Sequence, residues 1–509
     1  MSVWCKAIGW GGALSLLVGC GELLGGTAEP DESDSDADTT SVRITRAFGE
    51  LELFPHEDNA SRCVSWTVGN EQPIYAQAVL MANEGGFHHS NWFVVSENDF
   101  EGPDGYWRCR DRGYDEVSAA RRGTVLFAQS TQSFTEEQRL TPGAVIKLPA
   151  RAKVVAGLHT LNPSPRESRT RLWLTLEPLH PAEVTTVVTP LAIQYQDLDI
   201  PAQSQSWFTA DCDFGNRYET LTSEPLDMRL HYILPHYHYL GNYFDVTVKG
   251  GVYDGMSVFR LEGFDGDANG RTYSPPLELT GATGLRVTCG YDNWRSENIR
   301  WGNGDGEMCV MLALIEAEAV MAGTVGSGTR IVDVQDDVTM FQGSCFPIVT
   351  AKHRDQGMPT QAEIDAPLYL PPVDPADADI PPVPACEDVN LQATPEQPAT
   401  LSSIRDTVFT PSCNFSSCHG HGAAAGLDLS RDDLHAALMS HTLATGAGMP
   451  LVSPGDPEGS WLYQVISRCE PELPGGAIAR HMPVNAPTLL DAALVAKVRA
   501  WIEAGARDD

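Results

Sequence analysis

The sequence predicts a mainly β protein: two antiparallel β-sandwiches of jelly-roll type, followed by a small α-helical domain. Three observations predict it. From about residue 42 to 350, short runs such as RLWLTLEPL, YFDVTVKGGVY and GLRVTCGY are rich in β-branched and aromatic residues and are bounded by Gly, Pro, Asn and Asp. That is the composition of strands and of the turns between them. A region of about 300 residues exceeds one ordinary sandwich, so two are expected. Beyond it the pattern turns helical: DAALVAKVRAWIEAGARDD puts Leu494, Val495, Val498, Trp501 and Ile502 on one helical face. GSWLYQVISRC repeats this on a shorter scale.

In chain order, residues 1–20 read as a lipoprotein signal. Lys6 precedes an apolar stretch, Ala7 to Val18, that is too short to span a bilayer. Leu17-Val18-Gly19-Cys20 looks like a lipobox, which implies an exported chain anchored to a bacterial membrane through lipid on Cys20; plain secretion is the alternative. Residues 21–42 include EPDESDSDADTTS, acidic and without a large apolar side chain, the composition of an extended tether. The two sandwiches are expected over 43–198 and 199–352, a stiff proline-rich linker over 353–392, and the helical domain over 393–509. Net charge is -34, from 68 acidic and 34 basic residues, with no basic stripe. Nucleic acid is therefore not an expected partner, and the acidic excess reads as solubility.

There are twelve cysteines. Cys5 leaves with the signal, Cys20 takes lipid, and Cys413 and Cys418 sit together in CNFSSCH. The other eight, Cys63, Cys109, Cys212, Cys289, Cys309, Cys345, Cys386 and Cys469, are an even number in an exported chain. That fits a disulfide framework whose connectivity does not follow from sequence.

Four short motifs raise the question of metal. HYILPHYHYLG sets His236 and His238 two apart, so that on a strand both point to one face, as two ligands of one ion must. EGGFHHSNWFVV contains His88 and His89, which can share a metal only where the backbone is locally irregular, since neighbours on a regular strand face opposite sides. KVVAGLHTLNPS contains His159, and GDGEMCVMLALI contains Met308 beside Cys309. Taken singly, each has a plainer reading: a polar strand face, a packed histidine pair, a core methionine.

As an ordered set, HH, a lone His before a turn, HxH followed by Leu-Gly, and Glu-Met-Cys, they resemble the copper type II, ascorbate-dependent monooxygenases, the family of the peptidylglycine and dopamine hydroxylating enzymes. The resemblance covers roughly residues 45–350. It implies that His88, His89 and His159 hold an electron-transfer copper in the first sandwich. His236, His238 and Met308 would hold an oxygen-binding copper in the second, with a solvent-filled gap between the two. A thioether ligand favours Cu(I) over zinc on chemical grounds as well. The resemblance also implies the pairs Cys63–Cys109, Cys212–Cys345 and Cys289–Cys309; Cys386 and Cys469 remain to pair by elimination. In the peptide-amidating branch, polar anchors for the substrate carboxylate stand where this chain has Leu234 and Val310, so a glycine-extended peptide is not the expected substrate. His231 and Tyr237 are given no role, and Tyr237 should face away from the metal.

The segment TPSCNFSSCHG has Cys413, Cys418 and, directly after, His419, the elements of covalent haem c attachment. The usual spacing between the cysteines is two residues and here it is four. With VSPGDPEGSWLYQVI, HMPVNAP and the closing WIEAGA helix, the region 395–507 resembles a cytochrome c-like domain. This implies Met482 as the second axial ligand, with Met449 as runner-up. The alternative is a plain disulfide between Cys413 and Cys418.

The expected function is that of an exported copper monooxygenase which hydroxylates a C–H bond of a small organic substrate with O₂. Ascorbate or a redox protein would supply electrons, with the haem domain as a port. The alternative is an electron-transfer or copper-handling lipoprotein without hydroxylation. A third reading, a partner-binding sandwich whose histidines are relics, is disfavoured by the full set of six ligands.

Overall fold

Alternating burial along the strands between Ile44 and Val187 builds two sheets that share one core. The first runs Ile44–Leu53, Ser168–Pro178, Ile74–Asn83, Ala144–Leu148 and Thr186–Val187, with Thr135–Arg139 also on Ile74–Asn83. The second runs Gly105–Arg108, Glu57–Thr67, Ala152–Asn162, Phe87–Ser96 and Thr124–Gln129. Leu172, Leu174 and Leu176 of one meet Val154, Ala156 and Leu158 of the other in a single apolar cluster. Each buried leucine contributes about 1.5–3 kcal/mol. The computed structural model describes residues 42–509 except 130–132, 264–269, 303–305, 391, 416–417, 421–423, 442–447, 485 and 487. The signal-like segment, Cys20 and nearly all of the acidic tether lie outside the described residues.

The strands between Thr189 and Ala351 form a second pair of sheets. One is ordered Arg271–Glu278, Arg229–His236, Val310–Glu316, Thr189–Tyr195, Ala319–Val325 and Phe346–Ala351. The other is ordered Ser257–Glu262, Gly241–Lys249, Gly284–Asn293, Ser204–Asp213, Val338–Ser344 and Arg330–Gln335. Their inner faces enclose a core containing Ile193, Phe208, Phe244, Val287 and Met311. The protein is thus mainly β, as expected. The pairing is not wholly antiparallel, however: Thr189–Tyr195 runs parallel to Ala319–Val325, Ser204–Asp213 to Val338–Ser344, and Thr186–Val187 to Ala144–Leu148. Such pairs need long crossovers, and no local pattern in the sequence announces them.

Tyr232, Leu234 and Leu314 project from the sheet of the second core into the apolar cluster of the first. All three are buried, so the two sheet pairs meet along an apolar seam. A polar bond crosses beside it, between Thr141 Oγ1 and His231 Nδ1 at 2.7 Å. His231, given no role from sequence, joins the two halves.

The proline-rich stretch is laid against the first sheet pair rather than held free as a spacer. Tyr369 and Val373 pack on its core, the Tyr369 hydroxyl accepts the Glu71 N–H at 3.1 Å, and Tyr75 donates to Glu363 at 3.3 Å. Beyond it, Trp461–Ser467 and Ala492–Glu503 are helices at the expected places. Asp491 caps the second, accepting the Ala493 N–H at 3.0 Å. Leu494, Val495, Val498, Trp501 and Ile502 join Ile404, Phe409, Leu438 and Tyr463 in a third core. Buried Lys497 is satisfied by Ser403 Oγ and Thr407 Oγ1, both at 3.0 Å, and by Glu396 at 3.3 Å.

Four disulfides join Cys63–Cys109, Cys212–Cys345, Cys289–Cys309 and Cys386–Cys469, the expected pairs. They indicate an oxidising compartment. Among the described residues no helix is long and apolar enough to cross a membrane.

Candidate metal centre

The irregular backbone that adjacent histidines require is present. Phe87 pairs with Thr160 and His89 with His159, and the register shifts between these two pairs, so His88 is the extra residue of a bulge. The bulge turns His88 to the same side as its neighbour. Ring centroids lie 5.4 Å apart for His88–His89, 4.8 Å for His88–His159 and 5.1 Å for His89–His159.

His159 is aimed by a carboxylate. Its Nε2 lies 2.6 Å from Asp58 Oδ1, while its Nδ1 lies 3.4 Å from His89 Nε2. Two nitrogens that each sit about 2.0–2.1 Å from one ion, at an angle of about 110–120°, are about 3.3–3.6 Å apart. A ring whose outer nitrogen bonds a carboxylate while the inner one faces a second imidazole has the arrangement of a ligating histidine. Among the described residues, no three or more His, Cys, Asp or Glu side chains form a ready cage around one point. The fit therefore rests on this nitrogen pair and its carboxylate. Burial, and then the neighbouring imidazoles, hold His88 and His89 well below the usual histidine range. Both are neutral at pH 7, the form a metal needs.

In the second half, His236 ends the strand Arg229–His236, and His238 lies beyond it in the turn to Gly241–Lys249. The expected side-by-side strand geometry is thus replaced by a turn, yet the two rings remain 5.2 Å apart at 83°. Tyr237, between them, is buried in the core; it stacks on Phe244 at 5.7 Å and donates to Gly263 O at 2.7 Å. Gly241 closes the turn directly against the Tyr237 ring, where any Cβ would collide. His238 Nδ1 is bonded to Gly306 O at 2.8 Å, which leaves Nε2 as the nitrogen that could face a metal. Burial, then His238, pushes the His236 imidazole down to about 3.

Glu307 fastens this turn to the Met308 loop. Its Oε2 accepts the backbone N–H of His238 at 2.9 Å and of Met308 at 3.3 Å, and its Oε1 accepts Leu240 N–H at 2.8 Å. Burial raises the Glu307 pKa, and His238 with the three N–H groups opposes the rise. Tyr291 adds a hydrogen bond to Met308 O at 2.7 Å. The Cys289–Cys309 bridge, 20 residues apart in sequence, anchors the next residue; a loop of this size is worth about 3 kcal/mol. His236 pairs with Val310 in the sheet, so Met308 and the HxH turn leave the same pair of strands together.

The two sets meet. The rings of His89 and His236 are 6.2 Å apart, centre to centre.

In the helical region, Cys413 and Cys418 are not bonded to each other, so the plain disulfide is not formed. Burial, then Cys418, pushes the Cys413 thiol up to about 12. His419 Nδ1 lies 3.2 Å from Leu427 O. Cys413, Met449 and Met482 all pack against the same core, so the structure does not choose between the two methionines. Met482 is tied to the helix Trp461–Ser467 through its N–H and Val465 O at 2.7 Å. Cys418 also lies within electrostatic reach of Tyr239, which directly follows His238.

Asp58 and Glu307 were not singled out as positioning groups by sequence. Glu307 stood inside the quoted Glu-Met-Cys motif, whereas Asp58 carried no signal beyond its place in a strand.

No family model matches the chain, and no curated protein matches it. Among solved structures, it is similar to the major capsid protein P2 of bacteriophage PM2 at 8% identity and a TM-score of 0.25, over 54% of this chain and 98% of that one. It is also similar to the infectious bursal disease virus VP2 subviral particle at 10% identity and a TM-score of 0.15, over 54% and 72%. Likeness this slight carries no argument about function.

Proposed function

We propose that the chain is a copper-dependent monooxygenase that hydroxylates a C–H bond of a small, uncharged organic substrate, akin to the copper type II, ascorbate-dependent family. The observation that carries this reading is the meeting of five imidazoles from two sheet pairs, His88, His89 and His159 facing His236 and His238. His88, His89 and His159 would hold one copper; His236, His238 and Met308 would hold the other. Copper with a thioether among its ligands supplies one-electron chemistry with O₂.

The chain's own residues orient and enclose. Asp58 fixes the His159 ring, and Gly306 O fixes the His238 ring. Glu307 keeps the HxH turn and the Met308 loop in one register. Leu234, on the sheet that carries His236, is buried in the seam. It offers a substrate carboxylate no partner, so binding a charged group would cost its desolvation. Haem c on Cys413 and Cys418, with His419 and either Met482 or Met449, would complete an electron port, alongside ascorbate or a redox protein as donor. A lipid on Cys20 would place the whole at a bacterial membrane. The same metal set without hydroxylation, in an electron-transfer or copper-handling protein, is the second reading. The meeting of both sets favours the enzyme, since a carrier needs only one. Substrate-dependent oxygen uptake by the copper-loaded protein separates the two: uptake coupled to a hydroxylated product supports the enzyme, and copper binding with no uptake across candidate substrates supports the carrier.

A further inference from the structure

We propose that the crevice between the first sheet pair and the helical region binds a small, uncharged, two-ring aromatic compound. The site needs no metal. It encloses about 360 Å³, at the small end of the range of about 300–1,000 Å³ usual for pockets that take organic ligands. Leu53, Leu161 and Pro163 line one wall, and Pro483, Val484 and Leu489 line the other. Leu53, Leu161 and Leu489 are themselves buried, so this apolar surface belongs to the packed interior and is not a scatter of exposed side chains. Gly86 is required in the first wall: its φ is +79°, and the Leu53 side chain lies where a Cβ would stand.

The charges around the crevice are matched with one another, which sets the class of ligand. Arg166 on one wall bonds Asp491 on the other. Glu84 accepts two hydrogen bonds from Arg171, at 2.9 and 2.6 Å. Arg169 faces Glu50 at 3.3 Å. Glu167, the remaining charged residue of the lining, is exposed, where water screens it. An anion must either draw Arg166 away from Asp491 or give up its hydration for nothing. An uncharged ring does neither, and the leucine and proline walls gain from covering it. The crevice also adjoins the first residue of Phe87–Ser96 and the last of Ala152–Asn162, the strands that carry His88, His89 and His159. Pro483, opposite, directly follows Met482. An occupant therefore bridges those strand ends and the helical region, and its binding stiffens their junction.

Isothermal titration calorimetry of the full-length protein at pH 7 tests this with three probes that share one ring system: 2-naphthol, 2-naphthoate and 2-naphthylmethylammonium. The expected result is one 2-naphthol per chain with a Kd of about 100 µM or tighter. Both charged probes should bind at least about tenfold more weakly. V484W sets an indole in the crevice and should abolish 2-naphthol binding. D491N keeps the cap on the helix Ala492–Glu503, since Asn caps as well as Asp, but removes the charge that occupies Arg166. In D491N, 2-naphthoate should gain at least about tenfold in affinity while 2-naphthol is unchanged. Circular dichroism confirms the folding of each variant, and D491N decides the matter if V484W does not fold. Wild-type protein that binds no 2-naphthol, or binds a charged probe as tightly, would overturn the proposal. So would undiminished binding by folded V484W, or no gain of 2-naphthoate in D491N.

Discussion

The carboxylate of Glu307 holds the backbone N–H of His238 at 2.9 Å and that of Met308 at 3.3 Å on the same oxygen. One buried side chain thereby fixes two of the proposed ligands relative to each other. Replacing Glu307 with Ala strands buried N–H groups on His238 and Leu240, at about 1–3 kcal/mol each. E307A should lower the thermal midpoint and weaken the His236–His238–Met308 metal by about 10–100-fold. A competition titration against a Cu(I) chelator measures this; unchanged affinity would remove Glu307 from the site.

Asp58 acts on the other half through His159 Nε2. D58N keeps the shape but removes the carboxylate that orients the ring. Copper held by His88, His89 and His159 should weaken by about 10–100-fold, with the second site unaffected. Equal loss at both sites would point to a folding defect instead.

Met308→Leu removes the soft donor and keeps the volume. Cu(I) affinity at the His236–His238 half should fall and hydroxylation should cease, while the other half retains its copper. Full occupancy and activity in this variant would remove Met308 from the ligand set.

The Cys413 thiol, pushed up to about 12 by burial, should remain protonated from pH 7 to 10. Because the thiolate is the reactive form, alkylation of the folded, haem-free protein at pH 8 should be slow at Cys413 and should accelerate on unfolding. In cells able to mature cytochromes c, haem staining after denaturing electrophoresis should be positive and lost in C413A and C418A. A colourless wild-type band would leave a bare thiol pair.

A substrate prediction follows from Leu234, a buried apolar residue at the position where the proposed family's peptide-amidating branch has a polar anchor. Uncharged or aromatic compounds should support oxygen uptake, and a glycine-extended peptide should not. Efficient turnover of such a peptide would contradict the reading of this position.

Sequence periodicity located the β region and the closing helix, because each of these rests on local pattern; the five histidines were singled out by short motifs. What it missed is long-range. His238 leaves the strand because Tyr237 turns inward onto Phe244 and Gly241 admits the tight turn. Asp58 lies 101 residues from His159, and Glu307 lies 69 from His238. Only strand pairing and sheet packing bring these partners together. The bulge at His88 was legible as a requirement, since adjacent histidines cannot otherwise share an ion, but its register was not. The contact between His89 and His236 depends on how Tyr232, Leu234 and Leu314 seat one sheet pair on the other, and no motif encodes that.

Anaerobic Cu(I) titration of the purified protein, read by elemental analysis after desalting, tests the central claim most directly. The account predicts two coppers per chain, falling to one in H159A and to one in H238A, and to none in the double variant. A wild-type protein that binds no copper, or variants that each retain both ions, would contradict it.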